Sequence, residues 1–249
     1  MISNPVAGAG YFLRGLRLLG KPRVRRFVIL PLLINVLLFG GLLWLASDYF
    51  GSLIDHLMPE LPHWLSWLSW LLWLVFALAA VIIVFFTFTL VANLVGAPFN
   101  GYLAEAVEFH LTGEKPPGSG KPFWLETKDA VLSELRKYAH FALWAVPLLL
   151  LFLVPGVQLI APLLWIVFGA WMLVMEYADY PMGNHGLTFS EQRRRLGERR
   201  LLSLGFGGAV MLGTLVPLVN FLVMPSAVAG ATALWVEQFR DRSVPRQPS

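Results

Sequence analysis

RVRRFVILPLLIN, residues 23–35, sets three arginines directly against an apolar run that holds one proline and one asparagine, Asn35. The adjoining residues decide the fold: no Lys, Arg, Asp or Glu occurs from Phe27 to Ser47. A helix of that length, rising ~1.5 Å per residue, crosses a hydrocarbon core of ~30 Å. The arginines then stand where a helix passes from water into lipid. Composition agrees. Of 249 residues, 57% are hydrophobic and 14% charged, with 10 Trp and 18 Phe. A soluble domain is about one quarter charged, and one core cannot hide such an apolar surplus. The sequence predicts an all-α integral membrane protein.

Upstream, Phe12, Leu13, Leu16 and Leu19 recur at helical spacing, while Arg14, Arg17 and Lys21 fall on another face. Residues 1–26 are expected to form an interfacial amphipathic helix with its basic side toward headgroups. No cleavable signal is expected, and 27–47, the first span, serves as its own insertion signal. Downstream, Asp48, Asp55 and Glu60 mark an acidic loop, after which Leu61–Ala104 is again free of Lys, Arg, Asp and Glu. A straight helix of that length would reach ~65 Å, so it must be interrupted or leave the membrane. NLVGAPFNG, residues 93–101, supplies Gly96, Pro98 and Gly101 to weaken the helix, with Asn93 and Asn100 to satisfy freed backbone groups. This bounds a second span at 61–97. Residues 98–137 read as polar helices around the loop GEKPPGSGKP.

Two further uncharged stretches, 138–175 and 201–236, are each split, at VPGV (154–157) and near Pro217. Their halves run to roughly 15–19 residues, at or below the length of a span. The expected architecture is two long transmembrane helices plus two partly penetrating helical hairpins and amphipathic interfacial helices. Ordinary spans joined by a tight turn are the alternative. Residues 176–200 form a cytoplasmic segment and 237–249 a tail. Every connecting segment except the loop around 47–63 carries Lys or Arg, which places both termini in the cytoplasm. Gly205, Ala209 and Gly213, with Ser226 and Gly230, form a small-residue face for helix packing, within the chain or between subunits.

Several chemistries are excluded. The chain has no cysteine, so disulfides, thiolate metal sites and cysteine catalysis are out. Its five histidines lack metal-ligand spacing, and HExxH and GxSxG are missing. GSGKP (118–122) places Pro122 where a phosphate-binding loop needs Ser or Thr. No catalytic residue, metal, cofactor or nucleic-acid partner is expected.

The informative residues are hydrophilic ones at the borders of apolar segments. Arg25 and Arg26 stand at a helix start, where unpaired N–H groups and the dipole favour an anion. Guanidinium forks suit an oxyanion. Between Met1 and Ser47 there is no acid to neutralise them. Anchoring at the headgroups is the competing reading. Glu105 and Glu108 lie i, i+3 on one helix, as do Glu176 and Asp179 in EYADYPMGNHG (176–186), which also offers Asn184 and His185. These are either an interfacial belt or acids that pair with Arg or line a polar path.

RRFVILPLLIN (25–35), APFNGYLAEAVE (97–108) and EYADYPMGNHG together resemble the CysZ sulfate-permease family of bacterial inner membranes, over roughly residues 5–240. The resemblance implies two long transmembrane helices with further partly penetrating ones, a homo-oligomer, and sulfate uptake feeding cysteine synthesis. It also implies an anion site at Arg25 and Arg26 with the amides of Arg23 and Val24. Family members commonly carry Gly-Leu before the arginine pair; here the residues are Arg23-Val24. On this reading the arginines collect sulfate or another tetrahedral oxyanion. Asn35, Asn93, Asn100, Glu105, Glu108, Glu176, Asp179, Asn184 and His185 then line a path or gate, by a channel-like or proton-coupled route without ATP. The alternatives are a membrane scaffold or lipid-binding regulator that moves no solute, and a less selective anion channel.

Overall fold

A computed structural model describes residues 4–57, 68–117 and 123–240, and all regular structure among them is helical. Glu60 and the GSGKP stretch (118–122) lie outside the described residues. The elements are α1 (Pro5–Leu18), α2 (Pro22–Leu57), α3 (Ser69–Thr112), α4 (Phe123–Leu150), α5 (Ala161–Asn184), α6 (Phe189–Glu198), α7 (Arg200–Thr214) and α8 (Pro217–Leu234), closed by a π-helical turn at Trp235–Phe239. Among the described residues, 22–41, 135–153 and 161–184 are long and apolar enough to cross a membrane.

The chain divides into two compact units, residues 29–99 and the remainder. The first carries the apolar lengths of α2 and α3, and its Leu32, Leu33, Val36, Leu37, Trp73, Val75 and Leu78 are exposed. A helix that is apolar all round is one that faces lipid. The interruption expected at 93–101 is absent, for α3 runs continuously from Ser69 to Thr112. In hydrocarbon a freed backbone group has no water to bind, which favours carrying a helix through Gly and Pro.

In the remaining unit the chain turns at 154–157, between two short 3-10 segments, where Gly156 takes φ +86°, a left-handed value suited to glycine. α4 and α5 extend beyond the uncharged stretch, through 135–137 and to Asn184, so the arms of this hairpin are longer than charge spacing implied.

α1 is also a packed helix. It packs against α7 and α8, burying Gly8, Phe12, Gly15 and Leu18, while Leu13 and Leu16 stay exposed. The glycines explain the close approach. Gly8 meets the backbone of Leu202, Gly15 that of Ser226 and Gly230, and Gly205 that of Pro5. The small-residue face of α7 and α8 therefore serves packing within the chain, where side-chain-free positions let helix backbones touch. Arg14 pairs with Glu237 at 2.6 Å, and Tyr11 donates to the same carboxylate at 3.0 Å, which ties α1 to the π-helical turn.

A second cluster holds the start of α2. Leu18, Leu19 and Val24 pack with Leu103, Ala104 and Val107 of α3 and with Val228, Ala229 and Ala233 of α8. Val24 is fully buried. It pins the first turn of α2 against the last turns of α3, and so fixes where the flanking arginines point.

Candidate anion site

α2 opens with Pro22, a residue suited to a first turn because its missing N–H would have no partner there. The N–H groups of Val24 and Arg25 both donate to Lys21 O at 2.9 Å. The Val24 amide expected to serve an anion is thus already engaged beneath a buried side chain. Arg23 N–H has no backbone acceptor among the described residues.

Once Val24 faces the core, helical periodicity distributes the arginines. Arg23 and Arg26, i, i+3, line one cleft of about 590 Å³ together with Glu105 and Lys115. Arg25 is exposed and is not among the cleft's lining residues. Three cations against one carboxylate leave the cleft a surplus of two positive charges. Lys115 Nζ lies 3.5 Å from Glu105 Oε1, and both side chains are accessible, so this contact is weak. The other walls are aromatic. The Arg23 guanidinium carbon sits over the Phe109 ring, 5.5 Å from its centroid, and that of Arg26 over Phe27 at 4.7 Å. Phe27 stacks in turn on Tyr102, with centroids 6.3 Å apart.

One turn along α3 the chemistry changes. Glu108 is 1% exposed. Its Oε1 lies 2.7 Å from His185 Nε2 and 3.3 Å from an Arg240 nitrogen, while Arg240 also reaches Glu114 at 2.8 Å. Glu108 Oε2 and the indole N–H of Trp235 are buried without a hydrogen-bond partner, and the His185 ring lies 5.3 Å from that of Trp235. A carboxylate this deep requires charged or donor partners.

Another cluster joins α4, α5 and α6. Buried Lys137 reaches Asp179 at 2.8 Å and Glu176 at 3.6 Å, and Gln192 donates to the second oxygen of Asp179 at 2.7 Å. Asn184 donates to Gly101 O at 3.1 Å, and Asn100 to the Tyr180 hydroxyl at 3.4 Å. Glu108, Glu176 and Asp179 each have a cationic partner, Lys137 or His185 more than the arginine expected, whereas Glu105 has only the weak contact with Lys115. Asn35 lies within α2 and Asn93 within α3, but their side chains fall outside the described residues.

Sequence reasoning missed Lys115, Lys137, Arg240 and the aromatic shelves. Lys137 carried a usable signal, the inner of two adjacent cations, Arg136 and Lys137, at the edge of an apolar stretch. Lys115 and Arg240 lie in loop and tail contexts with no local pattern.

Residues 11–225 match the family described as sulfate transporter CysZ/Etoposide-induced protein 2.4. The chain belongs to this family. A protein named sulfate transporter CysZ from Pseudomonas aeruginosa PAO1 is 44% identical over 241 residues, covering 96% of this chain and 98% of that one. One of the same name from Pseudomonas paraeruginosa PA7 is 44% identical over 243 residues, 97% and 99% of the two chains. These CysZ relatives are named as transporters, not enzymes.

Proposed function

We propose that this protein carries sulfate across a bacterial inner membrane and so supplies sulfur for cysteine synthesis. The observation that carries the reading is the cleft: Arg23 and Arg26 face the same space, Lys115 adds a third cation, and the surplus of two charges matches a divalent oxyanion. The names and full-length similarity of the CysZ relatives point to the same substrate. Arg25, exposed beside the cleft, adds to the attracting field.

The finer architecture belongs to the same proposal. Spans lie within α2 and α3, and the hairpins formed by α4 with α5 and by α7 with α8 return to the cytoplasmic side. α7, at 15 residues, rises only ~22 Å, so the second hairpin penetrates in part. The protein works as a homo-oligomer embedded in lipid.

Moving a dianion into a cell that is negative inside costs ~4.6 kcal/mol per 100 mV. Either consumption keeps internal sulfate low, or protons accompany it. The Glu108–His185 contact, buried one turn from Glu105 of the cleft, favours protons as the companion. Purified protein in liposomes, with labelled sulfate and an imposed pH gradient, tests this. Flux that rises with the gradient supports coupling, and flux that ignores it leaves a channel-like route. Absence of flux identifies a scaffold.

A further inference from the structure

The two arginines of the cleft combine properties that are seldom found together. Each has a defined place, because an aromatic ring lies under it. Yet neither forms an ion pair with a carboxylate among the described residues. Compare Arg14, which is held by Glu237 and spends donors on it. The difference lies in guanidinium geometry. Its five N–H donors lie in the plane and point outward from the edge, whereas an aromatic ring engages the face. A carboxylate can fix an arginine only by consuming the donors that an oxyanion would use. A phenyl ring fixes it and leaves them unspent.

Phe109 is suited to this task. It sits on α3 near the helix end, on a stretch where Leu103, Ala104 and Val107 are buried against Val24. The shelf under Arg23 is thus built on the same packed contact that fixes the first turn of α2. Rigid support of this kind lowers the ordering cost an incoming anion must meet.

On the reading that the cleft takes sulfate, we propose that Phe109 is a positioning residue. It holds the Arg23 guanidinium face-on, so that Arg23 acts with Arg26 as a preset clamp on the oxyanion.

Equilibrium binding of labelled sulfate to the purified, detergent-solubilised full chain tests the proposal. Phe109→Leu removes the ring and keeps apolar bulk; it should weaken binding about three-fold, the size of one partly exposed cation–ring contact. Phe109→Trp keeps a ring and should hold or improve the affinity. With Arg23→Ala already in place, Phe109→Leu should cause no further loss. Thermal stability of each variant, measured without sulfate, separates a folding defect from lost positioning. The proposal is overturned if Phe109→Leu and Phe109→Trp weaken binding equally, or if the Phe109→Leu loss persists undiminished without Arg23. Sulfate binding that ignores Phe109 overturns this inference alone. A wild-type protein that binds no sulfate overturns the underlying reading as well.

Discussion

The two faces of the α3 segment from Tyr102 to Thr112 treat charge in opposite ways. On the cleft side, Arg23 and Arg26 are exposed, rest on phenyl rings and form no ion pair among the described residues. Toward the interior, Glu108 is enclosed and answered by His185 and Arg240. The lesson is that burial decides the use of a charge. An enclosed charge must spend its hydrogen-bonding capacity on the protein itself. A charge left at the rim, with only its face supported, keeps that capacity for a ligand.

The contrast can be broken from the buried side with the largest effect. Replacing His185 by Leu removes the partner 2.7 Å from Glu108. Leaving a buried carboxylate with only Arg240, at 3.3 Å, should cost about 3 kcal/mol, read by denaturation of the detergent-solubilised protein. From the rim side the effect should appear in binding and not in folding. Arg23→Ala with Arg26→Ala removes two charged donors worth about 1.5–3 kcal/mol each, so sulfate affinity should fall at least about 100-fold while the melting temperature holds. If the double variant melts early instead, the rim arginines are structural and the contrast fails.

Helix packing supports both regions and can be probed separately. A Cβ at Gly15 would strike the backbone of Ser226 and Gly230, whereas one at Gly10, also in α1, meets nothing within 4 Å. Gly15→Ala should destabilise by about 1–3 kcal/mol through overpacking. Gly10→Ala should be neutral or stabilise by up to about 1 kcal/mol from helix propensity. Equal effects at the two sites would mean that α1 does not pack as described.

The smallest effect concerns α6, whose Thr188–Glu191 capping box closes its first turn. Hydrogen bonds from the Thr188 backbone and hydroxyl hold the Glu191 carboxyl below its ordinary value of 4.5. A depressed carboxylate contributes stability above its unfolded value and loses it as the pH falls through the folded one. Local hydrogen exchange at α6 should therefore rise below about pH 4, and Glu191→Gln should reduce that dependence.

Much of this was legible in residues 23–47 and in the punctuation of the chain. An uncharged run of spanning length, preceded by arginines, defines a membrane helix on energetic grounds alone. VPGV at 154–157 turns because glycine alone enters the left-handed region without strain. What stayed hidden depended on partners distant in sequence. Glu108 and His185 are 77 residues apart, and Arg240 approaches from the far end of the chain. Residues 93–101 misled because Gly and Pro break helices in water but less readily in lipid. The packing of α1 stayed hidden because a surface-lying helix and a packed one share the same spacing. Only the glycine positions separate them, and their meaning depends on α7 and α8. The arginine pair was anticipated at Arg25 and Arg26; with Val24 buried, the cleft is lined by Arg23 and Arg26.

Above all, the rim of this cleft is held to admit sulfate to a path through the membrane. The most direct measurement is the uptake of labelled sulfate into liposomes holding the purified protein, with wild type and the Arg23→Ala, Arg26→Ala variant side by side. Saturable uptake is expected for the wild type, with a loss of at least an order of magnitude in the variant at low sulfate. Equal uptake by both, or none by a well-folded wild type, would contradict it.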